Sequence, residues 1–316
     1  MAAAAAPFPL GAYLARVGLP AALAGGARPA PTRRLLAEVM AAHSRSIAFE
    51  NLDVVLRRPV DMSLPAVVAK LVGPDGTARR GGFCFETNVL LAAALRELGF
   101  GVTPLLCRTR WNKEPGVVTP YTHLALRVRA AAPGAAAADA AAAAAATEDL
   151  LADVGFAGTN SIAPVSLLGV EEALPEGLFR VAPAGAPHAG CGYSALQWRL
   201  KGAWRDLYML RLDEPAAEAD MAVANFWSYA SPAARFPTQF FVQRVVADAG
   251  RDERHHVLND VYVVRRGGDG AAETVEEVVR EPARLRELLA GVFGLDAPPG
   301  AVEAWAERYR RPVDAA

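Results

Sequence analysis

Cysteine is scarce in this chain of 316 residues: Cys84, Cys107 and Cys191 make an odd count, and no two are spaced as CxxC. A disulfide framework and a structural zinc site both need more sulfur in closer register, so the sequence points to a reducing, cytoplasmic setting. An excess of charge of one sign is missing too, with 33 Lys and Arg against 34 Asp and Glu. A protein that neutralises many phosphates carries a basic excess or stripe, and the lack of both argues against a nucleic-acid partner. Long apolar runs are also absent. The mean hydropathy of +0.16 rests largely on alanine, and the alanine-rich tract at 130–147 is itself broken by Asp139; no membrane span is expected. The first twenty residues have no basic stretch ahead of an apolar one, and Pro7, Pro9, Arg16 and Pro20 interrupt them, so a secretory signal is a poor reading. Missing finally are GxxxxGKS/T, a strand-to-helix GxGxxG, GxSxG and HExxH, which removes the chemistry each of them serves.

What is present reads first as helix and then as strand. Leu10–Val17 is a short amphipathic helix closed by Gly18. Thr32 caps a helix carrying Leu35, Leu36, Val39 and Met40, and Ser63 precedes another with Val67, Val68, Leu71 and Val72. A third starts near Cys84 and ends at Gly99. Beyond Gly99 the period becomes two: 102–107, 121–129 and 150–156 read as strands, followed by 179–181, 195–200 and 204–210. The tract 130–147 is low-complexity and reads as an extended hairpin connection without chemistry. Residues 214–226 read as helix, 239–246 and 257–265 as a β-pair, and 281–292 and 300–309 as terminal helices. This order makes an α+β protein, with a first region to residue 99, a second over 100–213 and a third over 214–316.

The histidines and charge clusters offer little metal chemistry. His255 and His256 are adjacent, so a strand cannot turn both toward one ion, and the neighbouring Arg251–Arg254 run reads as a solvated turn. His43 and His188 read as structural, and Cys107 and Cys191 as inert. The segment Arg79-Arg80-Gly81-Gly82-Phe83-Cys84-Phe85-Glu86-Thr87-Asn88 differs from these. Two glycines permit a tight backbone before a helix, and a sulfur at that helix start meets free N–H groups and the positive end of the dipole, which favour a thiolate. A buried, inert thiol is the other reading of the same pattern. A nucleophilic thiolate needs a base and a group that orients the base. His123 lies opposite the apolar face of its strand, and Asp153 lies likewise in the strand expected to pair with it. Cys84, His123 and Asp153 are therefore candidates for thiol acyl chemistry.

Arg80–Asn88 resembles the RGGxCxExN signature of the arylamine N-acetyltransferases. Ala12–Gly18 resembles that family's YLxRIG start, and Ile47–Leu52 its IPFENL segment, with Ala48 in place of proline. Thr122–Leu126 and Asp153–Phe156 are similar to the segments holding its His and Asp. Ser231–Phe240 is similar to its SPxSxFT stretch, and Val292–Leu295 to its FGI-like ending. Ala157 stands where many relatives have glycine, and the insertion at 130–147 lengthens the connection between the His and Asp strands.

The resemblance implies an N-terminal helical bundle, a central β-barrel and a C-terminal α/β lid, with the cleft where the first two meet. It implies Cys84, His123 and Asp153 as a triad, acetyl-CoA as co-substrate with no permanently bound cofactor, and an aromatic amine, hydrazine or hydroxylamine as acceptor. An acetyl-cysteine intermediate and ping-pong kinetics follow from that chemistry. Phe83 and Phe156 flank the motif residues and either form an aromatic wall for a flat acceptor or pack in the core. Thr238 lies in a matched segment and is a further candidate for substrate contact. Arg16, Glu50 and Arg80 are expected to brace the loop of Cys84 as a charge network. The same triad with water as acceptor would be a thiol hydrolase, and propionyl- or malonyl-CoA could replace acetyl-CoA. A binding module with a retired triad is the reading from a different class.

Overall fold

Thr32 and Gly18 act as the sequence suggests. The Thr32 hydroxyl accepts from Leu35 N–H at 3.3 Å at the start of the helix Arg33–Ser46, and Gly18 takes a left-handed φ of 73° after the helix Leu10–Val17. The structure, a computed structural model, describes residues 7–25, 29–114, 116–131, 147–159, 161–186, 188–248, 251–266 and 273–311. Its first hundred residues form α1 (Leu10–Val17), α2 (Arg33–Ser46), α3 (Leu52–Val55), α4 (Leu64–Leu71) and α5 (Cys84–Glu97). Leu14, Leu36, Val39, Leu71, Leu91 and Leu95 project from these helices into one core with Leu126, Val128 and Leu150 of the adjoining sheet. Burying such side chains contributes roughly 1.5–3 kcal/mol each, which presses α5 onto the strands that carry the other candidate residues.

That sheet is antiparallel and eight-stranded. Its order is β5 (Val165–Ser166), β4 (Thr147–Ala152), β3 (Tyr121–Ala131), β2 (Gly101–Thr109), β9 (Ala203–Leu210), β8 (Ser194–Leu200), β7 (Gly177–Pro183) and β6 (Glu172–Leu174). It curls into a nearly closed barrel, with β5 against β7 and an interior of Leu105, Ala125, Leu151, Phe179, Val181 and Leu196. A second sheet has the order β1 (Phe49–Glu50), β10 (Phe241–Asp248), β11 (Arg251–Leu258), β12 (Val261–Arg266) and β13 (Glu273–Val278). The helices Pro282–Glu287 and Ala301–Arg308 cover it, with Trp305 fully buried between them and Phe240. The fold is α+β, as expected, with a helical start, a barrel-like middle and a mixed end.

Five details differ from the sequence reading. Phe49–Glu50, inside the stretch read as helical, forms an edge strand on β10, with Phe49 opposite Gln243. The strand read over 150–156 stops at Ala152, so Asp153 lies in the loop that follows. The helix read over 214–226 runs instead from Glu218 to Ala230. Arg251–Arg254, read as a solvated turn, is the start of β11 in the interior of the sheet. Three of its four charges are neutralised there: Asp252 pairs with Arg45, Glu253 with Arg266, and Arg254 with Glu176. The 257–265 strand is accordingly two strands, which turn at Asn259 with φ 54°. Of the alanine-rich tract at 130–147, the stretch 132–146 lies outside the described residues; at its ends Ala130 pairs with Glu148 and Ala131 with Thr147. Cys107 is buried, whereas Cys191 is exposed.

Candidate active site

Cys84 is the first residue of α5, so its N–H and those of the next residues have no intrahelical acceptor. The end is capped from within. Glu86 accepts the Phe83 N–H at 3.1 Å, the return half of a capping box whose other half a phenylalanine cannot supply. Gly82 makes room for this carboxylate, since a Cβ there would lie 2.7 Å from Glu86 Oε2. Gly81 passes so close to the Ala48 carbonyl that a Cβ would stand 1.9 Å from its oxygen. The motif's glycines thus serve close approach, between the loop and the Ile47–Leu52 segment.

Below the loop lies a charge network. Lys70 Nζ is 2.7 Å from both Asp53 and Glu86, and Arg80 reaches Glu50 at 2.8 Å and Asp53 at 2.9 Å. Burial pushes the Glu86 carboxyl up to about 7 against the pull of Lys70. Arg16 enters differently from the expectation. It donates to the carbonyls of Leu71 at 2.9 Å, Ser46 at 2.8 Å and Arg80 at 3.3 Å, so it holds backbone rather than a carboxylate.

His123 lies in β3 and Asp153 just beyond β4, its antiparallel neighbour. The two side chains meet, with His123 Nε2 2.7 Å from Asp153 Oδ2. Asn88, one turn along α5 from Cys84, donates to Asp153 Oδ1 at 2.9 Å and to the Leu124 carbonyl at 2.7 Å, and accepts Val154 N–H at 3.1 Å. The Gly155 N–H also reaches Asp153 Oδ1, at 2.8 Å. Burial opposes ionisation of Asp153, but His123, Asn88 and Gly155 outweigh it and hold the carboxyl below its ordinary value. An ionised Asp153 accepts, so Nε2 carries a proton, and in the neutral ring Nδ1 keeps the lone pair. The ring is wedged between Phe156 and Tyr208, at centroid distances of 5.1 and 4.9 Å.

Cys84 Sγ and His123 line one cavity of about 580 Å³, within the range of small-molecule sites. Phe49, Trp111, Phe156, Trp227, Phe236 and Phe241 give it aromatic walls. The Cys84 thiol donates to the Thr122 carbonyl at 3.7 Å. Burial and then the charge of Asp153 push the Cys84 thiol above its ordinary value, while the N–H groups of Leu124 and Phe85 pull the other way. A lone thiolate is therefore disfavoured here, in contrast to the expectation from the helix dipole alone.

Comparison with known proteins places this geometry. A family model described as N-acetyltransferase matches residues 34–300. An arylamine N-acetyltransferase of Mycolicibacterium smegmatis is 35% identical over 85% of this chain and 90% of its own length. The crystal structure of an M. smegmatis arylamine N-acetyltransferase superposes with TM-score 0.78 at 30% identity, covering 96% of this chain and all of the other. The chain belongs to the arylamine N-acetyltransferase family. The family's members are acetyl-CoA-dependent acyltransferases, and a Mycobacterium marinum member solved in complex with CoA superposes with TM-score 0.78 at 28% identity, over 96% of this chain and all of its own.

For an arylamine N-acetyltransferase, two of the three residues singled out for substrate contact lie on the cavity. Phe156 and Thr238 line it, although the Thr238 hydroxyl is engaged by the carbonyls of Ala234 and Arg235. Phe83 does not. It is 1% exposed and packs against Phe85 and Phe236 behind the Cys84 loop, because a side chain at the position before α5 points back into the core. Sequence reasoning missed Asn88 and Gly155. Asn88 stood in the quoted motif, and a polar amide one turn past the cysteine was the available signal. Gly155 follows Val154 directly, and a Cβ there would lie 2.6 Å from Cys84 Cα.

Proposed function

We propose that Cys84, His123 and Asp153 transfer an acetyl group from acetyl-CoA to an aromatic amine, hydrazine or hydroxylamine through an acetyl-cysteine intermediate. The observation that carries the reading is the 2.7 Å contact of His123 Nε2 with Asp153 beside the cavity that Cys84 also lines. His123 Nδ1 takes the Cys84 proton as the sulfur bonds to the acetyl carbon, then returns it to the CoA sulfur as that C–S bond breaks. The amine nitrogen next attacks acetyl-Cys84. His123 removes its proton and hands it to the departing Cys84 sulfur as the amide forms.

The buried setting gives this step its form. Since burial disfavours a lone thiolate, the proton moves from sulfur to imidazole rather than to water, and the resulting pair is stabilised by ionised Asp153. The Cys84 N–H, free at the helix start, is a ready donor to the oxyanion of both tetrahedral intermediates.

The cavity draws on all three parts of the chain, which supports a division at 1–99, 100–213 and 214–316. Phe49 and Cys84 come from the first part, Trp111, His123 and Phe156 from the second, and Trp227, Phe236 and Phe241 from the third. Among the described residues no helix is long and apolar enough to cross a membrane.

Initial rates measured over a grid of acetyl-CoA and arylamine concentrations test the reading. Parallel double-reciprocal lines support it and intersecting lines overturn it. Steady release of CoA without amine, as fast as with it, would make the protein a thiol hydrolase instead.

A further inference from the structure

Among the described residues lining the cavity none is Asp or Glu, whereas Lys113 and Arg235 are cations. Lys113 is exposed near Trp111 and Asn112. Arg235 opens the short helix Arg235–Thr238, and its Nε donates to Gln239 Oε1 at 2.6 Å. Its guanidinium lies 5.4 Å from the centroid of the Phe241 ring, on the aromatic wall. Among the described residues no carboxylate pairs with it, unlike Arg33, Arg45, Arg80, Arg254, Arg284 and Arg311. The side chain is open to the water of the cavity yet crowded by protein, and that crowding alone lowers its pKa. The charge is also felt behind the wall, where burial, Arg265 and then Arg235 push His256 down to about 4.

A guanidinium that loses cavity water to a bound substrate, with no counter-charge among the described residues, is best compensated when the substrate brings an anionic oxygen. The planar fork matches a carboxylate with two parallel N–H···O bonds. A substrate can supply such oxygens in two ways, as a carboxylate on the acceptor or as the phosphates of the donor. The phosphates are joined to the thioester by a long flexible arm, while the whole of a small acceptor must fit in the cavity with its nitrogen at Cys84. The aromatic walls suit a flat ring between these points.

We propose that Arg235 is a specificity-determining residue that selects aromatic amines or hydrazines carrying a ring carboxylate. This rests on the acetyl-Cys84 reading above.

The test compares the wild-type chain with Arg235→Gln and Arg235→Lys, using 4-aminobenzoate and aniline as acceptors. The ratio of their kcat/KM values is expected to fall at least about tenfold in Arg235→Gln, as befits loss of a charged hydrogen-bond partner. Arg235→Lys restores part of the ratio, because it keeps the charge and loses the fork. In a second arm, Cys84 acetylation is followed with acetyl-CoA and with the phosphate-free thioester S-acetyl-N-acetylcysteamine. An unchanged acceptor ratio overturns the proposal. So does a loss confined to acetyl-CoA relative to the phosphate-free thioester, which would assign Arg235 to the donor's phosphates. Failure of the covalent reading is separately visible, as turnover without acetyl-Cys84, while the acceptor ratio stays measurable.

Discussion

Gly155 lies where the loop that holds Asp153 presses against the helix that starts at Cys84. An added Cβ would meet Cys84 Cα at 2.6 Å and Asn88 Nδ2 and Thr87 Oγ1 at 2.8 Å. None of these can yield without moving α5 or the carboxylate. Gly155→Ala is therefore expected to cost about 1–3 kcal/mol of stability in urea unfolding and to lower acetyl transfer more than tenfold. His123 has a different signature. With the imidazole removed, the buried Cys84 thiol has no base to take its proton, and burial and Asp153 outweigh the N–H groups of Leu124 and Phe85 in holding its pKa up. Alkylation of Cys84 by iodoacetamide should be fast at neutral pH in the wild type. In His123→Ala it should become slow and climb only toward alkaline pH. Equal rates in the two proteins at pH 7 would remove the imidazole from the ionisation.

At the scale of elements, the start of α5 depends on Lys70 of α4, which lies between Asp53 of α3 and Glu86. Lys70→Met leaves Glu86, only 2% exposed in its side chain, without its cation. The expected loss is about 2–4 kcal/mol, read as a lower urea midpoint, together with slower acetylation of Cys84 as its helix end shifts. Unchanged stability would show that the network is decorative. Neither Lys70 nor Asp53 was legible in the sequence, because the two lie far from the motif and join it only through packing. The helix at Cys84, the strand of His123 and the pairing of strands β3 and β4 were legible, since glycines, caps and alternation act locally. Asp153 was found for a partly wrong reason: the strand ends one residue before it, and the loop that turns it toward His123 depends on Asn88 and Gly155. β11 was hidden because a run of four charges looks like surface until the partners Arg45, Arg266 and Glu176, all distant in sequence, are known.

At the scale of the whole molecule, buried imidazoles govern stability in acid. His43 is fully buried, with Nδ1 3.1 Å from the Tyr13 hydroxyl, and burial and then Arg16 push its pKa down to about 3. The unfolded chain binds a proton near pH 6.5 that the folded one refuses, so the His43 contribution to stability falls as pH drops below about 6.5 and continues to fall toward 3. Glu86, pushed up to about 7, opposes part of that loss between about 7 and 4.5. His256, pushed down to about 4 by burial and then Arg265, adds to the slope above that pH. Asp153 acts lower: its folded pKa lies below 3.8, so its contribution persists above that value and is lost only as pH falls further. His43→Gln should flatten the loss between pH 6.5 and 4 by up to about 1.4 kcal/mol per pH unit, measured as urea midpoints across that range. An unaltered slope would place the titration elsewhere.

In the proposed reaction everything passes through one covalent bond at one sulfur. Incubating the protein with acetyl-CoA in the absence of any amine, quenching in acid and mapping peptides by mass spectrometry reads that bond directly. One acetyl group on Cys84, discharged on adding an arylamine and absent in Cys84→Ala, is the expected result; an unmodified Cys84 in a protein that still acetylates arylamines would contradict it.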